Sequence, residues 1–203
     1  MIKRLIVGEY QTNCYILSIN KQAIIIDPGS QFNKINKYIK ENELKILAVF
    51  LTHGHIDHIG AVNSLVDLYQ CNVYAHEEEQ ALLNNPILNL SNNFSPYVIN
   101  HQVNFIKDQS EINIDQFKFI FHHMPGHTPG SCVIEWLNEN ILFSGDVLFK
   151  HSIGRYDLPL GNHHDTKKSL EKIKFLNPLL IVKPGHGDET ILEEEILSNP
   201  FLN

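Results

Sequence analysis

The chain has 203 residues, 43% hydrophobic and 19% charged, a balance that excludes a disordered segment and fits one large soluble domain or two fused halves. A formal net charge of −7 excludes unassisted binding to nucleic acid or to an anionic membrane, because neither phosphates nor headgroups would be neutralised. No apolar run approaches the roughly 20 residues that span a bilayer, and Met1–Gly8 is followed by no small-residue cleavage site, so a cytoplasmic protein is expected.

Three strands are predicted first, Lys3–Val7, Cys14–Ile19 and Ala23–Ile26, the third closed by the turn Asp27-Pro28-Gly29. Phe32, Ile35, Tyr38 and Ile39 stand at helical spacing. The continuous apolar run Ile46–Leu51 reads as a strand covered on both faces. Ile59, Val62, Leu65, Val66 and Tyr69 line one face of a second helix, followed by a short strand Asn72–Ala75 and a short helix Glu77–Leu83. Residues 85–105 are rich in Asn, contain Pro86 and Pro96, and carry the weakest periodicity, which marks either a functional loop or an unrecognised element. The second half then repeats the pattern. It has strands at Glu111–Ile114, Phe117–His122, Ser131–Trp136 and Ile141–Phe143, and a helix Thr166–Phe175 capped by Asp165. A strand Leu179–Val182 and a helix Ile191–Leu197 end it. Two such halves predict two mixed sheets facing each other with helices on the outer faces, a four-layer α/β/β/α sandwich. With no Gly-, Ser- or Pro-rich linker, residues 1–203 are expected to be a single domain.

Chemistry concentrates in His53-Gly54-His55-Ile56-Asp57-His58, three imidazoles and a carboxylate within six residues at the end of the Ile46–Leu51 strand. Imidazole nitrogen and carboxylate oxygen are what zinc and similar divalent metals take as ligands. Three further strands lead into turns that bear a ligand-type side chain. Phe119–Phe121 leads to His127, Ile141–Phe143 to Asp146 and Leu180–Val182 to His186. Loops at one end of such strands converge, and sites are built there. Five histidines and two aspartates are too many for one four-coordinate ion and suit two. Two ions about 3.5–4 Å apart call for a bridging carboxylate, and Asp146, alone on its loop, is the candidate. The three cysteines, Cys14, Cys71 and Cys132, are odd in number, widely spaced and outside any C-x-x-C pair, so they read as reduced, buried thiols.

The chain resembles the metallo-β-lactamase superfamily, and within it the short glyoxalase II-like (hydroxyacylglutathione hydrolase-like) metal hydrolases. The resemblance rests on Asp27, Thr52–Gly60, Pro125–Ser131, Ser144-Gly145-Asp146 and Pro184–Gly187, with Ser152–Arg155 and Asp157 in support. It implies one metal on His53, His55 and His127 and a second on Asp57, His58 and His186, with Asp146 and a hydroxide bridging them. The cofactors expected are two divalent ions, zinc first, with iron or manganese as alternatives, and the catalytic roles fall on Asp57 and Asp146. The activity implied is hydrolysis of a small hydroxyacyl thioester. Aspartate at 146, where the penicillin-cleaving members often have cysteine, makes β-lactam hydrolysis the less expected activity. A mononuclear iron persulfide dioxygenase is the alternative, and a lactonase ranks below both. Full-length glyoxalase II enzymes resemble this chain but continue into a helical C-terminal extension that holds glutathione. None is expected here.

Arg155 and Lys183 are candidate substrate contacts, Arg155 also reading as an ordinary ion pair with Asp157. Asp27 is expected to orient a ligand loop, and Phe149 and Tyr156 to line the cleft or pack in the core. His76, His101, His122, His123, His151, His163 and His164 are expected at the surface or behind the ligands. Expected partners are a small thioester and, at most, further copies of the chain as a homo-oligomer.

Overall fold

The computed structural model describes residues 1–203. Its first sheet has six strands in sequential order: β1 (Ile2–Val7), β2 (Thr12–Ile19), β3 (Gln22–Ile26), β4 (Lys45–Phe50), β5 (Asn72–His76) and β6 (Val103–Ile106). β1 to β3 pair antiparallel and β3 to β6 parallel. In the second sheet β7 (Ser110–Ile114), β8 (Phe117–His123), β9 (Cys132–Trp136) and β10 (Ile141–Gly145) are antiparallel neighbours. After a small hairpin, β11 (Leu148–Phe149) with β12 (Ser152–Ile153), β13 (Ile181–Pro184) joins β10 in parallel and β14 (Thr190–Ile191) closes the edge. The helices are α1 (Phe32–Glu41), α2 (Ile56–Ile59), α3 (Val62–Tyr69), α4 (Gln80–Leu83), α5 (His163–Ile173) and α6 (Leu192–Ser198). None is long and apolar enough to cross a membrane.

Strand periodicity builds the layers, because successive side chains point to opposite faces. In β9, Cys132, Ile134 and Trp136 enter the space between the sheets, while Val133 faces outward to α5 and α6. In β10, Ile141 and Phe143 face the other sheet and Leu142 faces the helices. The same division in the first sheet sends Ile24, Ile26, Ala48 and Phe50 inward and Ile25 and Val49 out to α1 and α3. Three apolar interfaces therefore separate four layers, α/β/β/α. The middle one is aromatic: Phe50 meets Phe119 and Phe121 edge-on, and Phe117, Phe119 and Trp136 stack. Each such fully buried side chain contributes about 1.5–3 kcal/mol.

The structure differs from the sequence expectations at several points. The helix expected through Ile59 to Tyr69 is two, α2 and α3, with Gly60 and Ala61 between them. Glu77–Leu83 starts as a 3-10 turn, Glu77–Glu79, before α4. The weakly periodic segment holds both a loop with a turn at Ser91–Asn93 and the unpredicted strand β6. The β11–β12 hairpin and β14 were not expected, and β13 runs two residues later than expected. α5 starts earlier, because Asn162 is its cap: the Asn162 Oδ1 accepts from the amides of His164 (2.9 Å) and Asp165 (3.2 Å). Asp165 sits instead in the first turn, where its charge favours the helix dipole.

Candidate metal centre

The strands that carry ligand-type residues run the same way within each sheet, so their loops share one end. β3 delivers Asp27. β4 delivers His53 and His55, and α2 begins at once with Asp57 and His58. β8 leads to His127, β10 to Asp146 and β13 to His186. Hydrogen bonds stitch the two sets of loops together. Cys132 donates its amide to the Thr52 carbonyl (2.9 Å), and Asn13 and Tyr15 of β2 donate side-chain bonds to the Pro184 carbonyl (3.0 and 2.8 Å). A Cβ at Gly185 would lie 2.3 Å from Asp146 Oδ1 and 2.7 Å from His58 Cε1, so a glycine is required for the His186 loop to come this close.

Seven side chains gather there, in sets whose ligand atoms lie within 4.8 Å of one another: His53, His55 and His127; Asp57, His58 and His186; and, overlapping both, His53, His58 and Asp146. His55 Nδ1 stands 2.9 Å from His127 Nε2. His186 Nε2 stands 3.2 Å from Asp57 Oδ2 and 3.4 Å from His58 Nε2. Asp146 lies between the sets, Oδ1 3.3 Å from His58 Nε2 and Oδ2 3.6 Å from His127 Nε2 and 3.5 Å from His186 Nε2.

The far nitrogens show what the near ones can do. Thr52 gives its hydroxyl proton to Asp27 (2.6 Å), so its oxygen accepts from His53 Nδ1 (3.2 Å). His58 Nδ1 donates to the Asp27 carboxylate (2.9 Å), His127 Nδ1 to the Arg155 carbonyl (2.7 Å) and His186 Nδ1 to the Tyr10 carbonyl (3.0 Å). Four rings are thus oriented with Nε2 turned to the centre, the arrangement in which an outer acceptor fixes the tautomer of a metal ligand. His53 Nε2, His55 Nε2 and Asp146 Oδ1 are buried without any hydrogen-bond partner. Buried polar atoms are rarely left so, and a cation is what this donor set would satisfy.

The two sets differ in charge when no metal is bound. Burial, then the neighbouring His58 and His127, push His53 well below its ordinary value. Burial and His127 bring His55 to about 3, so both rings are neutral with free lone pairs. In the other set burial opposes protonation, but Asp57, Asp146 and Asp27 outweigh it and hold His58 well above its ordinary value. Bonds to Asp146 and Asp57 likewise raise His186 to about 9 against its burial. Asp57 and Asp146 are held below the usual carboxylate range, burial opposing and His58 prevailing. One set therefore offers lone pairs, and the other carries protons that a divalent cation would displace.

Two supporting residues escaped the sequence reading. Thr12 donates to Asp57 Oδ2 (2.9 Å). Glu79, fully buried, accepts from the amides of Gly54 (2.7 Å) and Gly130 (2.8 Å) and from the Thr128 hydroxyl, so one carboxyl joins the His53–His55 loop to the His127 loop. Burial pushes that carboxyl up to about 7 against these three bonds. Its only sequence signal is an acidic run, Glu77-Glu78-Glu79, that reads as a solvated face.

The centre floors a cleft of about 550 Å³, which His55, Asp57, His127, Asp146 and His186 help to line. Arg155 also lines the cleft. Its guanidinium makes a two-pronged pair with Asp157 (2.7 and 2.9 Å). Phe149 lines the cleft and meets the His186 ring edge-on, whereas Tyr156 lies outside, stacked on His163. Lys183 is a correction: it does not line the cleft, and its ammonium is taken by Glu189 across the turn that follows β13. His76 and His122 are buried and stand outside the cluster, His76 stacked on His123 and His122 held between Gln109 and Glu135.

Residues 7–186 match the model of the metallo-beta-lactamase superfamily. A probable metallo-hydrolase of Bacillus subtilis, YqgX, is 39% identical, covering 99% of this chain and 97% of that protein. The hydroxyacylglutathione hydrolase GloC of Haemophilus influenzae is 34% identical over 97% of this chain and 95% of its own. Among solved structures, the B3 metallo-beta-lactamase BLEG-1 superposes with a TM-score of 0.95 at 39% identity, covering all of both chains. TTHA1623, solved in a di-iron-bound form, gives 0.88 at 32% identity over 98% of this chain and 99% of that one. With the four-layer fold and the His/Asp cluster at its loop end, these matches establish that the chain belongs to the metallo-beta-lactamase superfamily.

Proposed function

We propose that this protein is a two-metal hydrolase of small thioesters, with hydroxyacyl thiols as the substrate class. The observation that carries the reading is the pair of three-ligand sets on the floor of an open cleft, with Asp146 lying between them. The 34% identity with GloC supports the thioester half of it.

His53, His55 and His127 would hold one ion, and Asp57, His58 and His186 the other, with Asp146 reaching both. Zinc is the first choice, and iron or manganese would suit the same nitrogen and oxygen donors. Bound metal would acidify water and polarise the acyl oxygen. The chain's own residues do the rest. Asp27 and the carbonyls of Tyr10 and Arg155 each accept an imidazole proton on the outer nitrogen, so Nε2 of His58, His186 and His127 is the atom turned to an ion. Thr12 donates to Asp57 Oδ2 and so fixes that carboxylate beside His186. In the reaction water adds to the acyl carbon, the C–S bond breaks, and an acid and a thiol leave. A thiolate is a good leaving group, so the absence of a strong general acid in the cleft is no obstacle.

Metal analysis of protein purified without added metal, paired with thioester turnover, tests the reading. Two equivalents of metal with chelator-sensitive hydrolysis are expected. One iron with persulfide-dependent oxygen uptake would replace the reading with a dioxygenase. The 39% identity with BLEG-1 favours β-lactam hydrolysis as a second reading, and nitrocefin cleavage in the same assay decides it.

A further inference from the structure

Beyond the metal floor, the cleft has two chemically different ends. At one end stand Tyr10, Ile56, Leu90, Asn93 and Phe94; at the other stand Arg155, whose carbonyl accepts from His127, and Leu158. Tyr10 and Phe94 are 57% and 63% exposed, yet their rings pair edge to face with centroids 6.3 Å apart. Behind the pair lies a second cavity of about 280 Å³, which shares Tyr10, Ile56, Asp57 and Phe94 with the cleft and continues to Ser95 and Tyr97. The pair is thus a partition between two connected spaces. Exposed aromatic surface around a concavity marks a binding site more often than scattered apolar residues do.

Both sides of the partition are registered to the metal ligands. The Tyr10 carbonyl accepts from His186 Nδ1 (3.0 Å), so its ring is placed relative to that ligand. Phe94 sits at the tip of the loop that follows α4, and the base of that loop is pinned. Asn89 accepts from the Ile56 amide (2.9 Å), next to Asp57, and donates to the Tyr97 carbonyl (2.8 Å). Ser91 Oγ accepts from the Tyr97 amide (2.9 Å), and the Tyr97 hydroxyl accepts from the Asn63 amide (3.0 Å). The weakly periodic segment is therefore a built wall of the cleft. Its charge pattern is equally specific. Apart from the ligand Asp57, the one charged group lining the second cavity is the acidic Glu9, so anionic groups are disfavoured there and left to the Arg155 end.

We infer that the Tyr10–Phe94 pair and the cavity behind it form the acyl subsite, built for an uncharged, apolar or aromatic acyl arm longer than lactoyl. This inference rests on the thioesterase reading above and adds the substrate class. A thioester laid across the floor points its two arms to opposite ends. The acyl arm runs over Ile56 and against the two rings, and the thiol arm leaves past Arg155.

The test uses 2-hydroxyacyl thioesters of N-acetylcysteamine, an uncharged thiol, from propanoyl to octanoyl, with metal-loaded protein. In the wild type kcat/KM should rise about two- to fourfold per added methylene, mostly through KM, as each methylene leaves water. Phe94→Ala and Tyr10→Ala should each at least halve the slope of log kcat/KM against chain length. Phe175→Ala, a change at a residue 89% exposed beyond α5, should preserve it. Calorimetric binding of the matching 2-hydroxy acids reads the same slope without turnover. Graded acid binding without hydrolysis of any thioester refutes the thioesterase reading and keeps the subsite. A flat series in the wild type, or an unchanged slope in both variants, overturns the subsite.

Discussion

Glu79→Gln probes the carboxyl that joins the two histidine loops, and the structure gives the size of the effect. The side chain is wholly buried and its carboxyl is raised from 4.5 to about 7, burial being the main cause. A folded-state value above the unfolded one means that the protonated form favours folding. The contribution is complete below about pH 4.5 and is lost as the pH climbs through about 7. At about 1.4 kcal/mol per unit, the loss is about 3 kcal/mol. Glutamine fills the same space and cannot ionise. Its single oxygen can serve either Gly54 or the Gly130–Thr128 pair, so one backbone amide is left facing an NH₂ group, costing about 1–3 kcal/mol at every pH. The variant should be less stable than wild type by about that amount near pH 5, and the difference should move in its favour by about 3 kcal/mol near pH 8. Denaturant unfolding of chelator-treated wild type and variant at both pH values measures it. The groups the two proteins share cancel in the difference. A difference constant to within about 1 kcal/mol would show that Glu79 titrates as an ordinary carboxyl and that the burial argument is wrong.

Asp146→Ala should lose at least one metal equivalent and, with it, about a hundredfold or more of turnover, as expected when a shared ligand goes. Elemental analysis with both sites still filled would remove Asp146 from its bridging role. Asp27→Asn puts an amide against His58 Nδ1–H and so favours the tautomer whose Nε2 is blocked. Metal affinity of the Asp57, His58 and His186 set should fall about 10–100-fold while the three-histidine set changes less, and equal losses in a two-step titration would contradict this. Metal must displace the proton that His186 holds up to about pH 9, so affinity measured by chelator competition should rise with pH to about that point. Metal content and activity should fall together below about pH 6, and full activity at about pH 5 with metal retained would refute the ligand chemistry.

The parts of the fold legible in the sequence are those where one strand meets two cores. β4 and β10 read as continuous apolar runs because alternate side chains are buried on both faces. The candidate ligands are legible because His and Asp in H-x-H-x-D-H have no structural reason to cluster. What stayed hidden depends on distant partners. β6 is a short edge strand, half-buried and interrupted by Asn104, and only its pairing with β5 makes it a strand. Glu79 looks like its exposed neighbours Glu77 and Glu78 until loops from both halves of the chain fold over it. Asn162 and Asp165 are equally good caps by composition, and the choice between them is made where the Asn162 amide bonds the Gly126 carbonyl of the His127 loop.

Each ligand set draws on both sheets. His53 and His55 come from the end of β4 and His127 from β8; Asp57 and His58 come from α2 and His186 from β13. A bound ion would therefore join the sheets at the edge where their aromatic interface stops, and the loop bonds already made there explain why the donors are in place without it. Cys132 to Thr52, Tyr15 to Pro184 and Glu79 to both histidine loops hold the sheets in register. That register has a cost, since His53 Nε2 and His55 Nε2 are left buried and unpaired, at about 1–3 kcal/mol each. Metal binding recovers this energy only in the folded state, so the same unpaired atoms that weaken the metal-free protein make folding and metal loading mutually reinforcing.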